Sequence, residues 1–145
     1  MAEGVFRRLL GRQGMEGEIA VNSAGTHDYY VGKLPAALAI VAASKRGYDI
    51  TKCRSRQVAM DDFDRHDYIL VMDRANLAQV RKIAPTRAKE KIELLLEYGD
   101  RYHGKDVPDP YGGEERDFDK ALDMIEDGCG GLAQMLGSAK LRRRV

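Results

Sequence analysis

The chain has no tryptophan, two cysteines, four prolines and three phenylalanines in 145 residues. Cys53 and Cys129 are too few for a disulfide scaffold and too far apart for a local clip, so both are expected as reduced thiols. No apolar run approaches the ~20 residues needed to span a bilayer. The start, Met1-Ala2-Glu3-Gly4-Val5-Phe6-Arg7-Arg8, has no secretory h-region, so no membrane partner is expected and the default location is cytoplasmic. Charge of one sign is lacking too: 24 basic residues against 23 acidic ones leave +1, which offers no broad attraction for nucleic acid.

Familiar ligand motifs are missing as well. His27, His66 and His103 are scattered, without the spacing of zinc ligands. Asp61-Asp62-Phe63-Asp64-Arg65-His66-Asp67 lacks the glycine and the distal glutamate of a calcium loop, and reads as a polar turn and helix start. From Gly25 to Gly32-Lys33-Leu34 the glycine spacing is one residue too long for a nucleotide P-loop, and Leu34 stands where a Ser or Thr would meet magnesium. No metal and no cofactor is expected.

What is present is ordinary for a single folded domain over residues 1–145, with 43% hydrophobic and 32% charged residues. Ala2, Val5, Phe6, Leu9 and Leu10 form one helical stripe, with Gly11 and Gly14 marking its exit. Ile19-Ala20-Val21 reads as a short strand, and a helix follows from about Pro35 to Arg46, stopped by Gly47. Tyr68 to Met72 reads as a strand buried on both faces; Asp73 caps the helix carried by Leu77, Val80 and Ile83, which ends at Pro85. Lys91 to Tyr98 reads as a further buried strand. The last helix puts Phe118, Leu122, Ile125, Cys129, Leu132 and Leu136 on one face, and Lys140 with Arg142 to Arg144 reads as its solvated terminus. Such alternation predicts an α/β fold, a parallel sheet flanked by helices and doubly wound.

One loop stands out chemically. In Val107-Pro108-Asp109-Pro110-Tyr111 a carboxylate is held between two prolines, each restricting its own φ and the residue before it. That restraint suits a positioned proton donor. The bland alternative is a proline-rich turn in which Asp109 bonds nearby backbone.

Taken together, Met1-Ala2-Glu3-Gly4-Val5-Phe6, Ser23-Ala24-Gly25-Thr26, Arg54-Ser55-Arg56-Gln57, Asp67 to Asp73, Asn76-Leu77 and Asp109-Pro110-Tyr111 resemble the low-molecular-weight protein tyrosine phosphatases along essentially the whole chain. The resemblance implies a phosphatase-like α/β domain that hydrolyses phosphomonoesters through a cysteinyl-phosphate. Its expected partners are phosphotyrosine proteins or small aryl phosphates. It also implies a first strand ending in a C-x5-R-S loop that runs into the first helix. Here Met1 opens on that helix, so this strand and loop are expected to be absent and the domain truncated at its start.

Neither cysteine rebuilds the loop, because Ala59 stands six residues after Cys53 and Met135 six after Cys129. By resemblance Asp109 is the general acid, Tyr111 stacks on the substrate ring, and Tyr29 is a rim aromatic. Gly112 stands where a second aromatic is often found beside Tyr111. Ser23 is the serine that steadies the phosphate loop, and Cys53 takes the place of a supporting histidine. This chain is therefore expected to be inert, either as part of a longer active enzyme or as a non-catalytic binding module. Arsenate reduction ranks lower, since it needs redox cysteines close together. Without its first strand, Ile19–Val21 is expected either to pair directly with Tyr68–Met72 or to leave a gap that another copy fills, giving a homo-oligomer.

Overall fold

The computed structural model describes residues 1–138, so the basic end at Lys140 and Arg142 to Arg144 lies outside the described residues. The helical stripes form where their spacing places them. α1 (Ala2–Arg12) buries Val5, Phe6 and Leu10, and Gly14 supplies the positive φ of 71° that turns the chain away. α2 (Ala37–Lys45) buries the small faces of Ala39, Ala42 and Ala43 and is followed by Gly47 at φ 84°. α3 (Met60–Arg65) is a short turn holding Phe63, which is fully buried.

β1 (Ile69–Val71) follows, then α4 (Arg74–Ile83), whose first turn is capped by the Asp73 carboxylate accepting the Asn76 N–H at 2.7 Å. β2 (Ile92–Leu94) pairs parallel to β1 in the register Ile69 to Ile92, Leu70 to Glu93 and Val71 to Leu94. α5 (Glu115–Ser138) closes the described chain, with all six residues of its apolar stripe buried.

The sheet separates two apolar clusters, which is what makes the fold doubly wound. Tyr68, Leu70 and Met72 pack toward the cluster built by α1, α2 and α5. Ile69 and Val71 turn the other way, toward Phe63, Val80 and Ala88. This period-2 alternation gives a wholly apolar strand two covered faces.

Two sequence expectations need correction. Ile19 and Val21 are buried, but Ile19–Val21 forms no strand and does not pair with Tyr68–Met72; among the described residues β1 is joined to β2 alone. The Val21 carbonyl accepts from the Arg7 guanidinium, and the chain then turns its outer edge to another partner. Gly25 N–H donates to Arg56 O at 2.8 Å and Val58 N–H to Gly25 O at 2.9 Å, a single parallel bridge between Gly25 and Gln57.

Lys91–Tyr98 is also not one strand. Only Ile92–Leu94 is extended; Thr86–Lys91 before it and Leu95–Tyr98 after it are 3₁₀ turns. The second turn exists because Leu95 and Leu96 leave the α4 cluster and enter the α5 cluster, which a straight strand cannot do. Gly128 and Gly131 admit it, since an ideal Cβ would lie 2.7 Å from Leu95 Cγ and 1.7 Å from Tyr98 O respectively.

Candidate active site

The N-terminal turn of α1, the Val21–Thr26 segment and the end of β1 converge on two adjoining cavities of about 470 and 340 Å³. Glu3, Ser23, Asn76 and Asp109 belong to the walls of both. The larger cavity lies between Val21–Thr26 and Tyr68–Met72, with Phe6 and Leu132 on one side and Val80 on the other. Hence Ile69 and Leu70, expected as core, are only half-buried.

Asp109 is exposed at this junction, and its carboxylate accepts the Tyr111 N–H at 3.0 Å. The bond is the Asx turn of the bland reading. Both prolines flank it as read from sequence. Ser23 Oγ donates to the Glu3 carboxylate, which also accepts from Arg7 Nε at 3.1 Å and Nη2 at 3.0 Å. The serine is therefore tied to the first turn of α1, a partner that sequence did not supply.

Cys53 is half-buried against the α1 cluster. Burial, and then the nearby Glu3 carboxylate, push its thiol above the ordinary range, the opposite of what a nucleophile needs. Cys129 is 2% exposed, and burial pushes it up to about 12. Neither is a thiolate at neutral pH.

The rim is aromatic. Tyr29 is 74% exposed, borders the larger cavity and packs on His27 with ring centroids 5.2 Å apart. Tyr111, 65% exposed, borders neither cavity and meets Tyr30 instead, with centroids 5.8 Å apart. Tyr30, adjacent to Tyr29, was missed; the only sequence signal was the tyrosine doublet itself.

A second polar group also went unread. Arg56 makes a two-pronged ion pair with Asp62 at 2.8 and 2.9 Å, holding that carboxyl below its usual range. His66, 8% exposed, sits between the Asp62 carbonyl at 3.0 Å from Nδ1 and Asn22 Nδ2 at 3.3 Å from Nε2. Asp64 pairs with Arg87 at 3.0 Å, so this acidic run is a structural turn as the sequence suggested.

Comparison with known proteins points one way. A family model described as low molecular weight phosphotyrosine protein phosphatase matches residues 1–143. The low molecular weight protein-tyrosine-phosphatase YfkJ of Bacillus subtilis is 32% identical over 145 residues, covering 100% of this chain and 90% of its own length. A putative member from Synechocystis is 33% identical over 137 residues, 94% of this chain and 87% of the relative. Among solved structures, the protein tyrosine phosphatase of Entamoeba histolytica with Hepes in its active site superposes with a TM-score of 0.91 at 31% identity, over 97% of this chain and 89% of that one.

Proposed function

Because the chain belongs to the low molecular weight phosphotyrosine protein phosphatase family, we propose that its site serves phosphomonoester hydrolysis. The substrate class in this reading is phosphotyrosine proteins or small aryl phosphates, and Asp109 protonates the departing aryl oxygen. One observation carries it: the carboxylate of Asp109 stands where both cavities meet, opposite the first turn of α1 and beside an aromatic rim. The positive end of a helix attracts an anion, and a fixed acid next to it relieves a leaving group whose conjugate phenol has a pKa of about 10.

A thiolate attacks phosphorus in this reading, the phosphorus–oxygen bond to the aryl group breaks, and the Asp109 proton goes to that oxygen. Water then releases phosphate from the cysteinyl-phosphate. Residues 1–145 contain no C-x5-R-S, and the raised thiols of Cys53 and Cys129 do not substitute for it. The reading therefore assigns the thiolate and its arginine to none of these 145 residues, and expects these residues to be inert by themselves. Incubation with p-nitrophenyl phosphate tests this: no release of nitrophenolate is expected, and turnover would overturn the assignment.

The same sequence also admits a second reading, a binding module that holds a phosphotyrosine partner without turnover. Retained affinity for a phosphotyrosine peptide without release of phosphate supports that alternative. In either reading a strand is expected beside β1, which among the described residues is joined to β2 alone, and a second copy is one source of it. Light scattering that finds a dilute, cooperatively folding monomer removes that source.

A further inference from the structure

Arg74 stands at the first position of α4, where a cation is disfavoured by the positive end of the helix dipole and the first turn holds no acidic residue. Its guanidinium reaches instead to the chain that leads into the Asp109 loop. Nη1 donates to Asp106 Oδ1 at 2.6 Å and Nη2 to the Gly104 carbonyl at 2.9 Å. Two residues before Arg74, just past β1, the Met72 carbonyl accepts the Val107 N–H at 2.8 Å. Residues 72–74 thus hold residues 104–107.

The start of this connection is fixed as well. The Asp127 carboxylate of α5 accepts the N–H groups of Asp100, Arg101 and Tyr102 at 3.2, 3.3 and 2.9 Å, and Gly104 N–H donates to Leu96 O at 2.9 Å. Between buried Val107 and Asp109 stands only Pro108, whose ring fixes its own φ and restricts Val107; Pro110 restricts Asp109 in the same way. Few backbone rotations therefore separate the anchored residues from the acid, so a hold on residues 104–107 sets where Asp109 stands. The side chains of Arg74 and Asp106 are 61% and 40% exposed, and a pair this exposed contributes little to global stability. Its effect is local.

We propose that Arg74 is a positioning residue for Asp109: it belongs to neither cavity wall and acts by anchoring the chain that carries the acid. The chemical role of Asp109 rests on the phosphatase reading, whereas the test of Arg74 needs no phosphate and no turnover. Two readouts are compared in the whole chain. One is solvent exchange of the Val107 and Tyr111 amides by NMR, the second being the N–H that the Asp109 carboxylate accepts; the other is the urea midpoint. Arg87→Ala, which removes a similarly exposed ion pair with Asp64, is the control.

Arg74→Ala is expected to speed exchange of both amides by roughly 2- to 5-fold, the range of one exposed charge pair, while its urea midpoint stays at or above that of the parent, because α4 loses an unfavourable cation. Asp106→Asn moves the same amides less, since Arg74 keeps its bond to Gly104. Arg74→Lys, which keeps the charge without the fork, falls between Arg74→Ala and the parent. The proposal is overturned if Arg74→Ala leaves the Tyr111 amide unchanged, if it lowers the urea midpoint enough to account for the faster exchange, or if Arg87→Ala speeds that amide equally. The nitrophenyl phosphate assay bears on the phosphatase reading alone and leaves these outcomes unchanged.

Discussion

The carbonyl oxygen of Tyr98 lies 1.7 Å from the point where a Cβ on Gly131 would sit. Helix α5 can pass this close to the Leu95–Tyr98 turn only because Gly131 has no side chain. Gly131→Ala is therefore expected to destabilise the fold by about 3 kcal/mol or more, against the ~1 kcal/mol that alanine contributes in an ordinary helix. Gly130, next to it, has nothing within 4 Å of an added Cβ, so Gly130→Ala is expected to stabilise by up to ~1 kcal/mol. Urea midpoints for the two variants decide it; equal midpoints would show that the packing argument is mistaken.

Asp62 contributes to acid stability. Its pairing with Arg56 holds the folded carboxyl below its unfolded value, so this stabilisation is present above the ordinary aspartate range and is lost as pH falls through the folded pKa. Asp62→Asn is expected to lower stability at pH 7 by about 1–3 kcal/mol, the range for a hydrogen bond to a charged group. Denaturation curves from pH 6 down to pH 2 should then be flatter for the variant. A variant with the same acid slope as the parent would assign that slope to other carboxylates.

Cys129 acts at the opposite end of the pH scale. Its folded pKa of about 12 stands above that of an unfolded thiol, so the stabilisation is intact below about pH 9 and is lost progressively as pH rises toward 12. Near pH 10.5 the loss amounts to about 2 kcal/mol. Cys129→Ala is expected to be less stable at pH 7 and to lose less between pH 8 and 10.5. A thiol reagent at pH 7.5 should modify Cys53 slowly and Cys129 only on unfolding; rapid modification of Cys129 in the native protein would contradict its burial.

Oxyanion affinity tests the assignment of the nucleophile. Residues 1–145 are expected to bind vanadate no more tightly than a general anion, because the rim and Asp109 do not supply the charge clamp. If vanadate instead binds tightly and Cys53→Ser abolishes the binding, Cys53 is part of the cradle and the present account of that thiol is wrong.

Much of the fold was legible because its signals are local. The stripe from Phe118 to Leu136 and the Asp73 cap depend on residues three or four apart, and they form as read. Ile19–Val21 misled because β-propensity reports a preference for extended backbone and not the presence of a neighbour to pair with. Lys91–Tyr98 misled because an apolar run cannot say which of two layers each side chain enters. At the candidate site, the prolines marked the loop that places Asp109 on both cavity walls, while Tyr30 offered only its doublet with Tyr29, because its partner Tyr111 is 81 residues away.

By itself the sequence determined the family, the helix faces and the proline-flanked loop of Asp109, all of which follow from spacing along the chain and from motif order. Only the tertiary structure decided that Tyr111 meets Tyr30, that Ser23 is tied to Glu3, that Gly131 admits Tyr98, and that burial raises both thiols. The reason is physical: contact, burial and local dielectric are properties of groups brought together through space, and chain order does not encode their distances.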